Sequence, residues 1–387
     1  MRRISFYTIL LAFICAVISA TSLADTFLSR GAIPVIDKIK ISKVAGPIPY
    51  PWGIALLPNG SLIITQRDGK LRTITNNTLS EAIDFPAQVF FEGQGGLLDV
   101  IASPNFDKDQ LLYFSYASGN TESNRLTIGR GRWQSGQLVD FQEIFKAAQG
   151  KKNSAHFGSR FAFLPDGTLL ASIGDGGNPP QDFLDVFARE QGQNLQTHFG
   201  SIIRIKSDGS VPDDNPFVNT KGALPEIWSF GHRNPQGLAI DPESQVIWSS
   251  EHGPAAGDEL NQVQKGANYG WPRVTFGRDY RDGSNISFKI ASPEFTSPFL
   301  AWIDTHAPGG LTVYTGTAFP QWRGHLLSAG LVTQDLRVIN PQGDPLNVER
   351  RIVIGERVRD AEIGADGNLY IITDGPQGHL LRIEPDQ

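Results

Sequence analysis

Apolar and polar positions along the 387-residue chain repeat one unit: a short apolar strand, a turn and a second apolar strand. Residues 53–65 (GIALLPNGSLIIT), 160–172 (RFAFLPDGTLLAS) and 361–373 (AEIGADGNLYIIT) carry it most clearly. Each has Asn-Gly or Asp-Gly at its turn, a strong hairpin signal because glycine tolerates the positive φ such turns need. Weaker copies occupy residues 100–115, 238–248 and 311–328, so that units start near residues 53, 97, 158, 237, 309 and 360. Six hairpin-centred units predict an all-β chain folded as a six-bladed β-propeller. One blade cannot bury both of its faces, so the ring must close. A β-sandwich or a pair of β domains is the competing architecture. No long amphipathic helix is predicted, only a short one near Asp182 to Arg189.

The first residues follow a different pattern. Arg2 and Arg3 precede an apolar run of 13 residues from Phe6 to Ile18, and Ser22-Leu23-Ala24 offers small residues where a signal peptidase reads. Residues 1–24 thus read as a secretory signal peptide and residues 25–387 as one propeller domain, periplasmic or secreted. The apolar run is short for a membrane anchor, and no second run approaches membrane length, so no stable membrane insertion is expected after cleavage. Cys15, the only cysteine, leaves with the signal, which removes disulfides and thiol catalysis from consideration. Loss of Arg2 and Arg3 leaves 32 basic against 40 acidic residues, a net charge of −8. With no basic patch, nucleic acid is not an expected partner.

Chemistry-bearing residues sit in the loops. Gly231-His232-Arg233-Asn234-Pro235-Gln236-Gly237 and Glu251-His252-Gly253-Pro254 each follow a strand-like run. Loops on a rigid scaffold are where sites usually lie. Arg233 and Asn234 side by side can clamp an anion or a carbonyl. The backbone oxygens of Gly253 and Pro254 suit a hard cation such as calcium, and Asp258 and Glu259 follow them. His156 precedes the third unit and Asp175 follows its second strand, so a hairpin brings them to one end of a blade. A carboxylate orienting an imidazole suits a general base; a capped turn is the structural alternative. Gln94, in Gly93-Gln94-Gly95-Gly96, stands where glycines permit close approach of a ligand. Arg357 and Arg359 share a strand face and form a fork for carboxylates, or else pair with Asp360 or Glu356. His232 and His252 read as satisfied loop histidines. In a propeller all these loops fall on one face around the axis.

These motifs, in this order, resemble the soluble quinoprotein glucose/sorbosone dehydrogenase family, and within it the periplasmic aldose sugar dehydrogenases that use pyrroloquinoline quinone (PQQ). The resemblance covers nearly all of the chain after the leader. It implies that His156, oriented by Asp175, is the general base for a sugar's anomeric hydroxyl. It implies that Arg233 and Asn234 contact the quinone and its developing oxyanion, with Gln94 beside the cofactor and Arg357 and Arg359 on its carboxylates. Gly253 and Pro254 would hold Ca2+, and Glu259 and Tyr269 match a further calcium site. The implied partners are aldose sugars and an external electron acceptor. Two features depart from the family: no lysine falls near residues 330–332, where some members carry one for the cofactor's carboxylates, and Trp302 with residues 306–309 matches the substrate-capping region only loosely. A calcium-dependent lactonase-type propeller and a non-catalytic binding propeller remain as alternatives.

Overall fold

A computed structural model describes residues 26–177, 182–183, 186–343 and 348–386. The signal peptide expected in residues 1–24 lies outside these. Six sheets of four or five strands account for the expected units. Their innermost strands are Pro51–Leu56, Leu97–Ala102, Phe161–Phe163, Pro235–Ile240, Pro308–Val313 and Val358–Ile363. Each pairs antiparallel with the second strand of its hairpin, for example Leu62–Gln66, Leu169–Ile173 and Leu369–Thr373. The six-bladed β-propeller is therefore the fold, and blades 1 to 6 are numbered here in this order.

The hairpins form for the expected reason, with one refinement. At the three strongest turns only the glycine is left-handed: Gly60, Gly167 and Gly367 have φ of 81°, 79° and 76°. The preceding Asn or Asp works through its side chain. Asn59 Oδ1 accepts the Ser61 N–H at 3.0 Å, Asp166 Oδ1 that of Thr168 at 2.9 Å, and Asp366 Oδ1 that of Asn368 at 3.1 Å. The second strands read as continuous apolar runs because both of their faces are covered by neighbouring blades. Leu62–Gln66, Leu169–Ile173 and Leu326–Gly330 are buried at every residue. Between blades 2 and 3, Tyr113, Ile128, Phe157, Phe161 and Ile203 share one core cluster. Burying each such side chain contributes about 1.5–3 kcal/mol.

The ring closes by exchange of its ends. Ile39–Ile48, early in the chain, is the outer strand of blade 6 and pairs with Gly378–Pro385, the last strand. A further N-terminal strand, Phe27–Ser29, adds in parallel to Leu300–Trp302 on blade 4. The helix expected near Asp182 to Arg189 is not formed. Its place is taken by a strand pair, Asp182–Phe183 with Val186–Phe187, and then the 3-10 helix Ala188–Gln193. So short an isolated helix is marginal, and Phe183, Val186 and Phe187 favour extended backbone.

On the axis, Arg160 Nη1 bonds Asp99 Oδ1 at 2.8 Å and Asp360 Oδ2 at 2.6 Å, and its Nε donates to Gln236 O at 3.0 Å. One guanidinium thus joins blades 2, 3, 4 and 6. Its far side opens into a cavity of about 730 Å³ lined by the later halves of the innermost strands, including Phe163, Ile240 and Glu362. The loops singled out by sequence are on the other side, at the starts of those strands.

Candidate active site

His156 and Asp175 meet. The loop before the innermost strand of blade 3 carries the histidine, and the loop after its second strand carries the carboxylate. His156 Nδ1 lies 2.6 Å from Asp175 Oδ1, and the residues are 2 % and 0 % exposed. Asp175 Oδ1 also accepts the Gly177 N–H at 3.0 Å, and Oδ2 accepts the Trp271 indole N–H at 2.8 Å. With Nδ1–H donated to Asp175, the Nε2 lone pair of His156 is left for a ligand. Burial, then the nearby Arg233 charge, push the imidazole down to about 4 against the pull of Asp175. The ring is neutral at neutral pH and able to accept a proton. Burial alone would raise Asp175, but His156, Arg233 and the Gly177 N–H outweigh it and hold the carboxyl below its usual range.

The backbone at His156 is left-handed, with φ of 51°. Its N–H donates to Gln94 Oε1 at 2.8 Å, while Gln94 N–H donates to Ser154 O at 2.7 Å. Gln94 therefore braces the base as well as facing solvent. Its loop is pinned in turn by Arg67, whose Nε donates to Gly95 O at 3.0 Å. Gly174 is required here, since a Cβ would stand 2.3 Å from His156 O.

Arg233 and Asn234 complete the wall. Asn234 Oδ1 accepts the Gly158 N–H at 3.1 Å, placing the amide beside the His156 loop. Arg233 Nη1 donates to His252 O at 2.9 Å and to Gly253 O. The guanidinium carbon lies 5.4 Å from the Trp271 ring centre. Asp258 shapes the Gly253-Pro254 turn by accepting Gly253 N–H at 2.8 Å through one oxygen and His306 N–H at 2.8 Å through the other.

Two histidine readings separate. His232 is satisfied as expected, between Ser229 Oγ and Glu251 Oε1 at 2.9 Å each and stacked on Tyr269. His252 is not: its buried Nε2 has no partner among the described residues. Burial first, then Arg233 and Arg359, push its ring down to about 3, so it too is neutral. Its position inside the Glu251-to-Pro254 turn was the signal available in the sequence.

Arg357 and Arg359 do form a fork, but it closes on Asp374 and not on Asp360 or Glu356. Arg357 Nε and Arg359 Nη2 each lie 3.1 Å from an Asp374 oxygen. Arg359 Nη1 also donates to Gln236 Oε1 at 2.8 Å, and Arg357 Nη1 to Leu331 O at 3.1 Å, in the segment that lacks the family lysine. Glu259 and Tyr269 line one cavity of about 20 Å³ with Glu251 and Gly253. The Tyr269 hydroxyl is spent on Gln262 O and Gln264 N–H, which leaves only its backbone as a metal donor. Burial, then the Glu251 carboxylate, hold Glu259 well above its usual range.

Trp302 and His306, in the segment matched loosely to the substrate-capping region, present no side chain to a ligand. Trp302 is 1 % exposed in the outer part of blade 4, with its indole N–H on Glu349 Oε1 at 2.9 Å. His306 is fully buried between Thr333 Oγ1 and Ser328 Oγ at 2.9 and 3.0 Å. Nearer the site, Tyr280 and Arg189 line a small cleft with Arg233, Pro254 and Trp271.

Residues 48–382 match the family model described as Glucose / Sorbosone dehydrogenase. The chain belongs to this family. The glucose/sorbosone dehydrogenases are oxidoreductases, and this chain is accordingly an enzyme of that class. Aldose sugar dehydrogenase YliI of Escherichia coli is 35% identical to it over 360 residues, spanning 90% of this chain and 93% of that one. The crystal structure of the soluble aldose sugar dehydrogenase from Escherichia coli, in the apo-form, superposes with a TM-score of 0.82 at 34% identity, covering 90% of this chain and 99% of the other. The PQQ-bound aldose sugar dehydrogenase from Streptomyces coelicolor superposes with a TM-score of 0.70 at 26% identity, covering 91% and 100%. No helix among the described residues is long and apolar enough to cross a membrane.

Proposed function

We propose that the chain oxidises aldose sugars at C1 to lactones with PQQ and Ca2+ and passes the electrons to an external acceptor, in the periplasm or outside the cell. The observation that carries this reading is the buried His156–Asp175 pair, its Nε2 without a hydrogen-bond partner among the described residues, in one loop cluster with Arg233, Asn234 and the Gly253-Pro254 turn. The site fits an anionic ligand that both donates and accepts hydrogen bonds. His252 Nε2 is a buried ring nitrogen with no partner among the described residues, and Arg233, Arg357 and Arg359 supply charge. Gly253 and Pro254 would offer carbonyl oxygens to the cation, and Glu251 and Glu259 two carboxylates to a second one.

When bound, the quinone would supply a two-electron hydride acceptor for the sugar's C1 and calcium a Lewis acid beside it. His156 Nε2 takes the proton of the anomeric hydroxyl, and Asp175 stabilises the imidazolium that results. Arg233 and Asn234 present donors where negative charge develops. Arg357 and Arg359 would hold carboxylates in competition with Asp374. Because Arg233 rests on Gly253 O, cation binding there must share or displace that bond. A lactonase-type reading is not favoured: the axial carboxylates Asp99 and Asp360 are already taken by Arg160.

The direct test is to add PQQ and Ca2+ to purified apoprotein and assay a panel of sugars with an artificial dye. Aldoses should reduce the dye and ketoses should not, since a ketose has no hydrogen on its anomeric carbon. Exhaustive chelation should release the quinone and lower Tm, because a ligand selective for the folded state stabilises it. Retained activity after chelation, or dye reduction by ketoses at aldose rates, counts against the proposal.

The histidine also sets an expected pH dependence. With the folded imidazole at about 4, kcat/KM should stay level as pH falls through 6.5 and drop only toward 4. Stability linked to this group responds at higher pH than activity does. Below about 6.5 the unfolded chain takes up a proton that the folded ring refuses until about 4, so the folded state loses ground across that window. Measured kcat/KM profiles, with Tm followed at each pH, check this; an acid limb centred near 6.5 contradicts it.

A further inference from the structure

We propose that Lys151 is a positioning residue for the His156–Asp175 pair: its ammonium ties down the backbone that presents His156, and its stem props the loop that carries Asp175. The inference rests on the reading of His156 as the base.

Lysine normally places its ammonium in water, yet Lys151 is only 8 % exposed. Its backbone is fixed by an antiparallel bridge to Asn124, N–H and C=O both bonded at 2.8 Å. Asn124 begins the third strand of blade 2, Asn124–Gln134. From there Nζ donates to Asn124 Oδ1 at 3.2 Å, Asn153 O at 2.6 Å and Ala155 O at 2.6 Å. Those contacts use all three ammonium donors. The ammonium also stands 3.7 Å from the centre of the Phe157 ring. The residues on both sides of His156 are thus held by one cation.

The restraint has something to oppose. A left-handed backbone at a residue other than glycine costs on the order of 1–3 kcal/mol and persists only where its surroundings impose it. At His156 those surroundings are Gln94 on the N–H, Gly174 against the carbonyl, and Lys151 on the carbonyl of the preceding residue. The other half of the pair is touched as well. A Cβ at Gly176 would come within 2.8 Å of Lys151 Cδ, so the lysine stem lies on the backbone next to Asp175. One side chain spans both loops.

Its charge matters too. The groups acting on His156 are Asp175, which favours the imidazolium, and Arg233 and Lys151, which oppose it; His252 lies beside them and is neutral. Burial brings the lysine down to about 7, despite the pull of Asp175. In the acid range where His156 titrates, Lys151 is therefore charged, and removing it raises the pH at which His156 takes up its proton.

The test compares Lys151→Met and Lys151→Arg with the parent, all reconstituted with PQQ and Ca2+. Methionine fills similar space without charge or donors. Its kcat should fall roughly 10–100-fold, the scale of a displaced reacting group, with KM and quinone Kd within about twofold of the parent. The acid limb of kcat/KM should move to higher pH. Lys151→Arg should keep the parent's acid limb, because it keeps the charge, while kcat stays reduced, because a guanidinium does not fit three acceptors arranged for an ammonium. The inference is overturned if Lys151→Met retains kcat within twofold, if its acid limb does not move, or if quinone affinity and Tm fall in step with kcat. His156→Ala is run alongside. Full activity in that variant removes the base assignment itself, whereas loss there with none in Lys151→Met removes only the role of the lysine.

Discussion

His156→Ala will lose turnover with aldoses by roughly 10²–10⁴-fold while binding quinone within a few-fold of the parent. The loss follows from the geometry of one ring. Its Nδ1 is committed to Asp175 at 2.6 Å, its Nε2 has no hydrogen-bond partner among the described residues, and its neutral form is the one populated at working pH. Alanine removes the proton acceptor and leaves Arg233, Asn234 and the Gly253-Pro254 turn in place, so cofactor affinity is spared. Asp175→Asn should fall in the same direction. The amide cannot stabilise an imidazolium as a carboxylate does, and the Trp271 and Gly177 donors would meet an amide in place of an anion. Steady-state kinetics beside a quinone titration decide the matter. Turnover within tenfold of the parent in His156→Ala would place the base elsewhere.

Arg160→Met will destabilise the folded chain by about 3–5 kcal/mol at pH 8, the cost of leaving buried charges without their partner. Arg160, Asp99 and Asp360 are 5 %, 3 % and 4 % exposed, and Arg160 also stacks on Trp52 at 4.3 Å. Burial, aided by the neighbouring Asp360, already pushes Asp99 up to about 7 even with the guanidinium present. Without it both carboxyls rise further, and each takes up a proton in the folded state before it does in the unfolded one. The deficit should therefore shrink as pH falls from 8 to 5. Asp99→Asn combined with Arg160→Met should recover part of the loss, because one of two repelling charges is gone. Urea unfolding at pH 8 and pH 5 measures all three quantities. A deficit under about 1 kcal/mol at pH 8, or one that grows toward acid, would show that the axial ion cluster does not hold the blades together in this way.

The strands were legible because both of their determinants are local. Apolar runs such as residues 62–66 and 169–173 need only a hairpin turn between them and an inner partner, and Asn59-Gly60 or Asp166-Gly167 states that turn outright. The meeting of His156 with Asp175 was legible for the same reason, since 19 residues and a single hairpin join them. The contacts missed are those made across the ring. Trp271 reaches Asp175 over 96 positions, and Arg160 reaches Asp360 over 200. Nothing in the spacing of either residue announces the other. That Arg357 and Arg359 share a strand face was legible from their alternation; that Asp374 sits between them was not, because it enters from the far end of the next strand. Trp302 was misplaced for a related reason. Its neighbours look like a rim loop, but the indole is drawn inward by a buried acceptor, Glu349, 47 positions away. The 182–189 segment failed differently: its polar spacing allowed a helical turn, and its extended-favouring residues decided otherwise.

The pairing of Ile39–Ile48 with Gly378–Pro385 gives the molecule a latch whose two halves lie more than 300 positions apart in the sequence. A chain emerging N-terminus first makes the leading half more than 300 residues before the trailing half exists. Until then blades 1 to 5 form an open arc with two raw sides, and the leading strand has no native neighbour in its sheet. Loop closure over such a span is entropically costly and tends to come late. A chain cut short by even its last strand would therefore be missing one eight-residue strand and also the means of shutting the ring. Before the latch meets there is no finished ring of blades, so the open chain is the only form that exists until the last strand arrives.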